Sequence, residues 1–366
     1  MPLKRTALYQ THARLGAKLI DFAGFEMPVR YTSQIEEHHT VRERVGIFDV
    51  SHMGEFFVSG PKAEALIQYV TSNDVSRLKD GQAQYSCLPN DKNGIVDDLL
   101  VYRLGPESFM LVVNGANIEK DWQWITAQNA NFGAVMADHS DQMSLFAVQG
   151  PLATAALQPL TELALDQVPY YHFTTGTVAG IPEVIVSATG YTGSGGFELY
   201  VDNAHAETLW EAILESGAAY GIQPIGLAAR DTLRMEMGFC LYGNDIDDTT
   251  SPFEAGLGWI TKPATGFLNA EALQAQKAEG LTRRLVGLRL DARGIPRQGY
   301  AILDEAGQTI GTITSGTQSP SLGHGIGMGY IQLAYAKAGT SVAVQIRNQS
   351  IPATVVKLPF YQAEKK

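Results

Sequence analysis

Asp97 and Asp98 stand side by side in NGIVDDLLVYRL (residues 93–104), directly ahead of a run of strand-forming residues. Successive side chains of a strand point to opposite faces, so one of the two carboxylates must face the side on which the apolar neighbours want burial. A carboxylate buried without compensation is costly, and the cost is relieved by a hydrogen-bonding partner, a raised pKa or a ligand. The pattern alone does not choose between the two aspartates. A second candidate is TGYTGSGGFELY (residues 189–200), with four glycines among the seven residues from Gly190 to Gly196. Glycines allow a tight turn and close backbone approach. The stretch has neither the Gly-Lys-Ser/Thr of a phosphate loop nor the dinucleotide fingerprint, so a plain hairpin turn accounts for it equally well. Glu198 follows at once inside an apolar strand. It is either a satisfied core residue or a carboxylate that holds the hydrogen-bonding edge of a ligand.

A third candidate is the helix-like LAARDTLRMEMG, which carries Arg230, Asp231, Arg234 and Glu236. Arg230 and Arg234 are four apart and share a face. Two guanidinium forks there could bind a carboxylate, or each could pair with a nearby acid. GNDIDD (residues 243–248) clusters acids but lacks the spacing of a calcium loop. ADHSDQ places Asp138, His139, Ser140 and Asp141 in a row, whereas a catalytic triad is assembled in space; no GxSxG elbow is present. His38, His39 and His52 have no metal-ligand spacing and read as ordinary polar or packed histidines. No metal site is expected.

These residues need a scaffold, and the pattern supplies one. SQIEEHHTVRERVGIFDVS reads as a charged amphipathic helix running into a short strand, and SGPKAEALIQYVTS as a helix with a good start. FMLVVNGANIEKDWQWITAQNA and MSLFAVQGPLATAALQPLTEL each read as strand, turn and helix, and VIVSATGYTGSGGFELYVD as two strands around the glycine-rich turn. From about Leu285 the texture changes to short alternating strands separated by turn signals, a small all-β domain. The charged LQAQKAEGLTRR ahead of it is the linker candidate. The expected division is a body over residues 1–280, made of two interleaved α+β subdomains with internal boundaries near 50, 137 and 230, followed by a β domain over 281–366.

Composition narrows the function classes. The chain has 366 residues, 45% hydrophobic and 18% charged, as in soluble globular proteins. A net charge of −11 argues against general nucleic-acid binding, which needs a basic face. Two cysteines, Cys87 and Cys240, rule out a disulfide scaffold and fit a reducing compartment. No segment approaches a membrane span, and the N-terminus lacks an apolar signal core. The reading is cytoplasmic, with neither nucleic acid nor membrane as partner.

FDVSHMGE, NDV, GIVDDLLVY, VVNGAN, AVQGP, TGYTGSGGFELY, GLAARDTLRMEMGFCLYGNDID and SGTQSPSLG come in the order and spacing of one family. Together they resemble the aminomethyltransferase (T-protein) family of the glycine cleavage system, from about residue 5 to residue 360. The resemblance starts almost at Met1, with no room for a mitochondrial transit peptide, which favours a bacterial origin. It implies an α+β, three-domain folate-binding aminomethyltransferase fold around a central cavity, with a C-terminal β-barrel or jelly-roll domain. It implies transfer of a one-carbon unit from the aminomethylated lipoyl arm of H-protein to tetrahydrofolate, with release of ammonia and formation of 5,10-methylenetetrahydrofolate. The implied partners are therefore lipoylated H-protein and tetrahydrofolate.

By the same resemblance Asp97 is the catalytic carboxylate, Glu198 binds the pterin and Arg230 serves the glutamyl carboxylate of folate. Met53, Tyr85, Asn114, Tyr191 and Trp259 fall at positions that line the folate cavity in relatives; Tyr171 and Tyr242 match less closely. A positioned carboxylate at Asp97 would orient the folate amine and stabilise the cationic iminium that appears as ammonia leaves. Asp97 should then face inward and Asp98 the other side. Two departures stand out: Met237 and Phe239 in RMEMGFCL, and a short WITKPATGFLNAEAL after Trp259. The alternative on the same fold is a folate-dependent demethylase of a small sulfonium or aryl ether. A non-catalytic folate-binding module would carry a KGCYxGQE-type motif, and none occurs.

Overall fold

A computed structural model of the chain describes residues 2–362. The architecture is α+β, in two compact units. The first comprises Met1–Ile67, Val75–Tyr85 and Leu99–Asp231, and the second Gln68–Asp74, Ser86–Asp98 and Thr232–Lys366. Among the described residues no helix is long and apolar enough to cross a membrane.

The first unit is organised by a six-stranded sheet in the order Phe173–Val178, Ile181–Ser187, Gly196–Asp202, Met143–Gln149, Gly46–Asp49, Gln223–Pro224. Its pairs are antiparallel except the last, which is parallel. Alternating apolar residues of these strands bury Phe146, Val148, Leu199 and Val201 against Leu209, Trp210 and Ile213 of the helix Ala206–Gly217. A five-stranded sheet follows the order Gln82–Pro89, Ile95–Gly105, Ser108–Val113, Gly54–Ser59, Val135–Asp138. Its first two strands run in the chain from one unit into the other.

Local chemistry sets the element ends. The helix Gln34–Glu43 starts where the Ser33 hydroxyl accepts the amide of Glu36, with Glu36 and Glu37 in its first turn. Buried Glu37 is satisfied by the amides of Tyr31, Thr32 and Gly226. The Asp49 carboxylate takes the Thr6 hydroxyl and the His12 Nε2 proton, each at 2.8 Å, and the Tyr31 hydroxyl donates to His12 Nδ1. Burial alone would raise the Asp49 carboxyl, but the His12 and Ser51 hydrogen bonds outweigh it and hold the group below the usual range. Both His12 nitrogens are occupied, so this buried relay is an anchor for the N-terminal segment.

In the second unit a closed antiparallel barrel runs Arg283–Leu290, Gly325–Gln332, Thr309–Gln318, Ala301–Leu303, Ser341–Ile346, Gln349–Val356. Leu288, Ile302 and Val344 fill its interior. The expected all-β region is therefore a barrel without free edges. The linker candidate is different. Most of LQAQKAEGLTRR is the helix Ala270–Glu279, whose Ala270 and Leu273 pack on Phe253 and Phe267. Arg283 already belongs to the first barrel strand, leaving residues 280–282 as the connection. Ala, Glu, Gln and Lys are strong helix formers, and a polar helix face has the composition of a linker.

Candidate functional site

The first unit gathers a polar cluster around the glycine-rich turn. Glu198 lies on the strand Gly196–Asp202, in register with Ser187 on one side and Ala147 on the other. It is half-buried, and its carboxylate accepts the Thr189 hydroxyl. Burial raises its pKa, against the opposing effects of the Thr189 hydrogen bond and the Arg230 charge. Next to it, the Tyr102 hydroxyl lies 2.9 Å from that of Tyr200 and 3.1 Å from those of Ser187 and Thr189. Burial pushes both phenols up, so they remain neutral hydrogen-bonding groups.

Arg230 stands in the first turn of the helix Leu227–Met237, half-buried, with its guanidinium 4.5 Å from the Tyr191 ring centre. Tyr191 is carried by the turn itself, so the turn and the helix meet at this stack. Met53 and Asn114 flank the pair Gly54–Val113 at the ends of adjacent strands, both half-buried. Tyr85, also half-buried, lies on the strand Gln82–Pro89. Tyr171 has a left-handed backbone (φ 62°) and meets Tyr170 edge-on at 4.7 Å. The first unit thus holds Met53, Tyr85, Asn114, Tyr191, Glu198 and Arg230 of the expected site residues.

His52 fits the packed-histidine reading. It is buried edge-on against Phe22, ring centres 5.2 Å apart, and its Nδ1 has no hydrogen bond. Burial, reinforced by the Arg230 charge and opposed by Asp49, lowers its pKa to about 3 and keeps it neutral. Asp138 accepts the amide and hydroxyl of Ser140, and Asp141 pairs with Lys4 at the surface, so ADHSDQ is a capped turn. Two features escaped the sequence reading. The Tyr102–Thr189–Tyr200 cluster was signalled only by a tyrosine in an apolar strand, whose hydroxyl must find a partner. Glu55 is fully buried with neither carboxyl oxygen hydrogen-bonded, and burial, with Asp138 nearby, raises its pKa well above 4.5.

The second unit carries Asp97 and Trp259. Asp97 is fully buried, whereas Asp98 is partly exposed. Burial asymmetry follows the strand alternation and puts Asp97 on the inner side. The segment leading into this strand is pinned: the Ile95 amide donates to the Asp247 carbonyl, and the Tyr242 hydroxyl to the Ile95 carbonyl, both at 3.0 Å. Tyr242 is a strut for that strand. Burial pushes the Cys87 thiol up, with Asp98, Cys240 and Asp97 adding to the effect. Trp259, in the turn Gly258–Ile260, is 62% exposed, which is unusual for so large an apolar surface.

Arg234 does not join Arg230 in a carboxylate site. It is 2% exposed and donates to Asp245 at 2.9 Å, the Phe239 carbonyl at 2.9 Å and the Ser315 hydroxyl at 3.1 Å. Asp245 also accepts the Leu241 amide and the Thr314 hydroxyl. One carboxylate oxygen of Asp247, Oδ1, accepts both the amide and the hydroxyl of Thr249. The acids of GNDIDD therefore organise a loop. Glu236 accepts Ser319 and Ser321, which accounts for the serines of SGTQSPSLG.

Comparison with known proteins fits this arrangement. The GCVT N-terminal domain model matches residues 8–265, and the glycine cleavage T-protein C-terminal barrel domain model matches residues 283–362. The chain belongs to the glycine cleavage T-protein family. It is an enzyme, an aminomethyltransferase by family. An aminomethyltransferase of Flavobacterium psychrophilum is 56% identical, covering 98% of this chain and 100% of that protein. One of Bacteroides thetaiotaomicron is 55% identical over 98% and 99%. The crystal structure of the glycine cleavage system aminomethyltransferase T from Bartonella henselae superposes with a TM-score of 0.91 at 35% identity, covering 98% of each chain.

Proposed function

We propose that this aminomethyltransferase takes the one-carbon unit from the aminomethyl group on the lipoyl arm of H-protein and passes it to tetrahydrofolate. Ammonia leaves, the lipoyl sulfur departs as a thiol, and the carbon ends bridging two folate nitrogens. Glu198 carries the folate half of this reading. A half-buried carboxylate supported by an arginine charge is what the donor edge of an aminopyrimidine requires. Arg230, stacked on Tyr191, is assigned to a carboxylate of the glutamyl tail, whose geometry a guanidinium fork matches. Met53, Tyr85, Asn114, Tyr191 and Trp259 are assigned to the folate walls by the same family motifs.

Asp97 is assigned the catalytic role. A carboxylate set in a fully buried strand position is worth most to a cation, and the methylene transfer passes through one when ammonia departs. It orients the folate nitrogen that attacks and helps move its proton. The division into a body over 1–280 and a β domain over 281–366 belongs to this proposal, supported by the family boundaries at 265 and 283. A bacterial cytoplasmic setting is proposed with it. The test is direct: incubate the protein with tetrahydrofolate and aminomethylated H-protein and measure ammonia. Ammonia release dependent on both is expected. Absence of ammonia together with methyl transfer from a small sulfonium or aryl ether would replace this reading with a demethylase.

A further inference from the structure

The glycine-rich turn has no regular hydrogen-bond ladder of its own between Thr189 and Gly195, yet it presents Tyr191 and leads into Glu198. One side chain beneath it supplies the missing bonds. Gln149 closes the strand Met143–Gln149 and is 1% exposed. Its amide NH2 donates to the Thr189 carbonyl at 3.1 Å and the Phe197 carbonyl at 3.4 Å, one on each leg of the turn. Its Oε1 accepts the Thr192 hydroxyl at 2.9 Å, at the tip. Two carbonyls on one side and a hydroxyl on the other fix which way the amide faces.

The turn is shaped to admit this side chain. A Cβ at Gly190 would sit 2.0 Å from Gln149 Oε1, and one at Gly196 would sit 2.2 Å from the Val148 carbonyl. Both positions have to be glycine for the turn to close over Gln149. The strand register adds a backbone tie, with Gly196 opposite Gln149 and the Gly150 amide donating to the Gly195 carbonyl. From the helix Gln34–Glu43, Arg42 adds to the hold on the tip, through the Thr192 carbonyl and the Ser194 hydroxyl. Gln149 is therefore the group that ties both legs and the tip together.

We infer that Gln149 is a positioning residue for folate: it fixes the turn so that Thr189, Tyr191 and Glu198 hold the geometry that receives the pterin end of the ligand. The inference rests on the folate reading of this cluster. Gln149 touches no reacting atom, and its effect is transmitted through the turn. Loss of its amide takes the Gln149 donor from the Thr189 carbonyl and the side-chain tie from the Phe197 carbonyl, and releases Tyr191 from its place against Arg230.

The experiment measures tetrahydrofolate binding and steady-state kinetics for the wild type, Gln149→Leu, Thr192→Val and Thr192→Ser, with melting temperatures alongside. Gln149→Leu is expected to weaken folate binding and raise its KM roughly ten- to hundredfold, the scale of a misplaced binding group. The KM for aminomethylated H-protein and kcat at saturating folate should stay near wild type. Thr192→Val should move the same way by a smaller factor, and Thr192→Ser, which keeps the hydroxyl, should restore binding. If Gln149→Leu does not fold, the Thr192 pair decides. Wild-type folate affinity in Gln149→Leu, equal loss in Thr192→Val and Thr192→Ser, or a loss that follows the melting temperature and affects both substrates alike would overturn the inference. A wild type that binds no tetrahydrofolate would overturn the folate reading itself, and is recognised before any variant is compared.

Discussion

Arg230 and Arg234 lie one turn apart on the same helix, and their surroundings could hardly differ more. Around Arg234 every polar atom of its acidic partner is spent: Asp245 holds the guanidinium, the Leu241 amide and the Thr314 hydroxyl, and its own carbonyl takes the Tyr330 hydroxyl. Arg230 is half-buried over an aromatic ring, beside a carboxylate that holds one hydroxyl. The first region is saturated and buried, the second polar and half-buried. Motifs of equal density in the sequence therefore divide into a fully buried knot that holds the fold and a half-buried cluster beside the glycine-rich turn. The distinguishing mark is burial: Arg234 is 2% exposed, whereas Arg230 and Glu198 are half-buried.

The largest effect should come from Asp97→Asn, which keeps the shape and removes the charge. Turnover should fall by about 10²- to 10⁴-fold, the usual worth of a proton-handling group, with little change in melting temperature. Asp98→Asn, partly exposed, should cost stability more than rate. Equal kinetic loss from both would break the assignment of Asp97.

Arg234→Met and Arg230→Met test the central contrast. Removing Arg234 strands a buried Asp245 and should cost about 3–5 kcal/mol in denaturant unfolding. Arg230→Met, at a half-buried position, should cost less stability than Arg234→Met while raising the KM for tetrahydrofolate. Similar stability losses from the two would erase the distinction.

Glu198 gives a pH signature. Its pKa is raised by burial, so the carboxylate wanted by the pterin is lost as pH falls through that raised value. Folate affinity should decline on the acid side, and Glu198→Gln should bind more weakly without that decline. A wild-type affinity flat through the acidic range would contradict a carboxylate contact.

The smallest effect is expected at Glu55, a poised group on the structural side. Its folded pKa lies well above the ordinary 4.5, so the folded state keeps a proton that the unfolded chain has released. Stability then declines as pH rises from 4.5 until the folded value is passed. Glu55→Gln should melt higher than wild type at neutral pH, with the gap closing toward pH 4.5. A gap that is constant with pH would mean that Glu55 is ionised in the fold.

Much of the scaffold was legible. The helix before Gly46–Asp49, the two strands around the glycine-rich turn and the C-terminal strands all follow periodicity and turn residues, which act over a few positions. The helix Ala270–Glu279 was missed because its polar composition also describes a linker. In the candidate site, the opposite facing of Asp97 and Asp98 was legible from alternation. The fate of Arg234 was not: its partner Ser315 lies 81 positions away, and no local pattern reports such a pairing. Gln149 was hidden for the same reason, since its amide joins residues 40 and 48 positions distant.

The sequence by itself determined that two adjacent carboxylates would part to opposite faces, that a turn of four glycines would join two strands, and which family the motifs belong to. These follow from covalent geometry and local conformational preference. Only the tertiary structure decided that Arg234 is spent on Asp245, Phe239 and Ser315, and that Gln149 lies beneath the turn. Such outcomes depend on hydrogen bonds between distant segments, and whether a polar side chain is spent or available is known only when its partners have been brought to it.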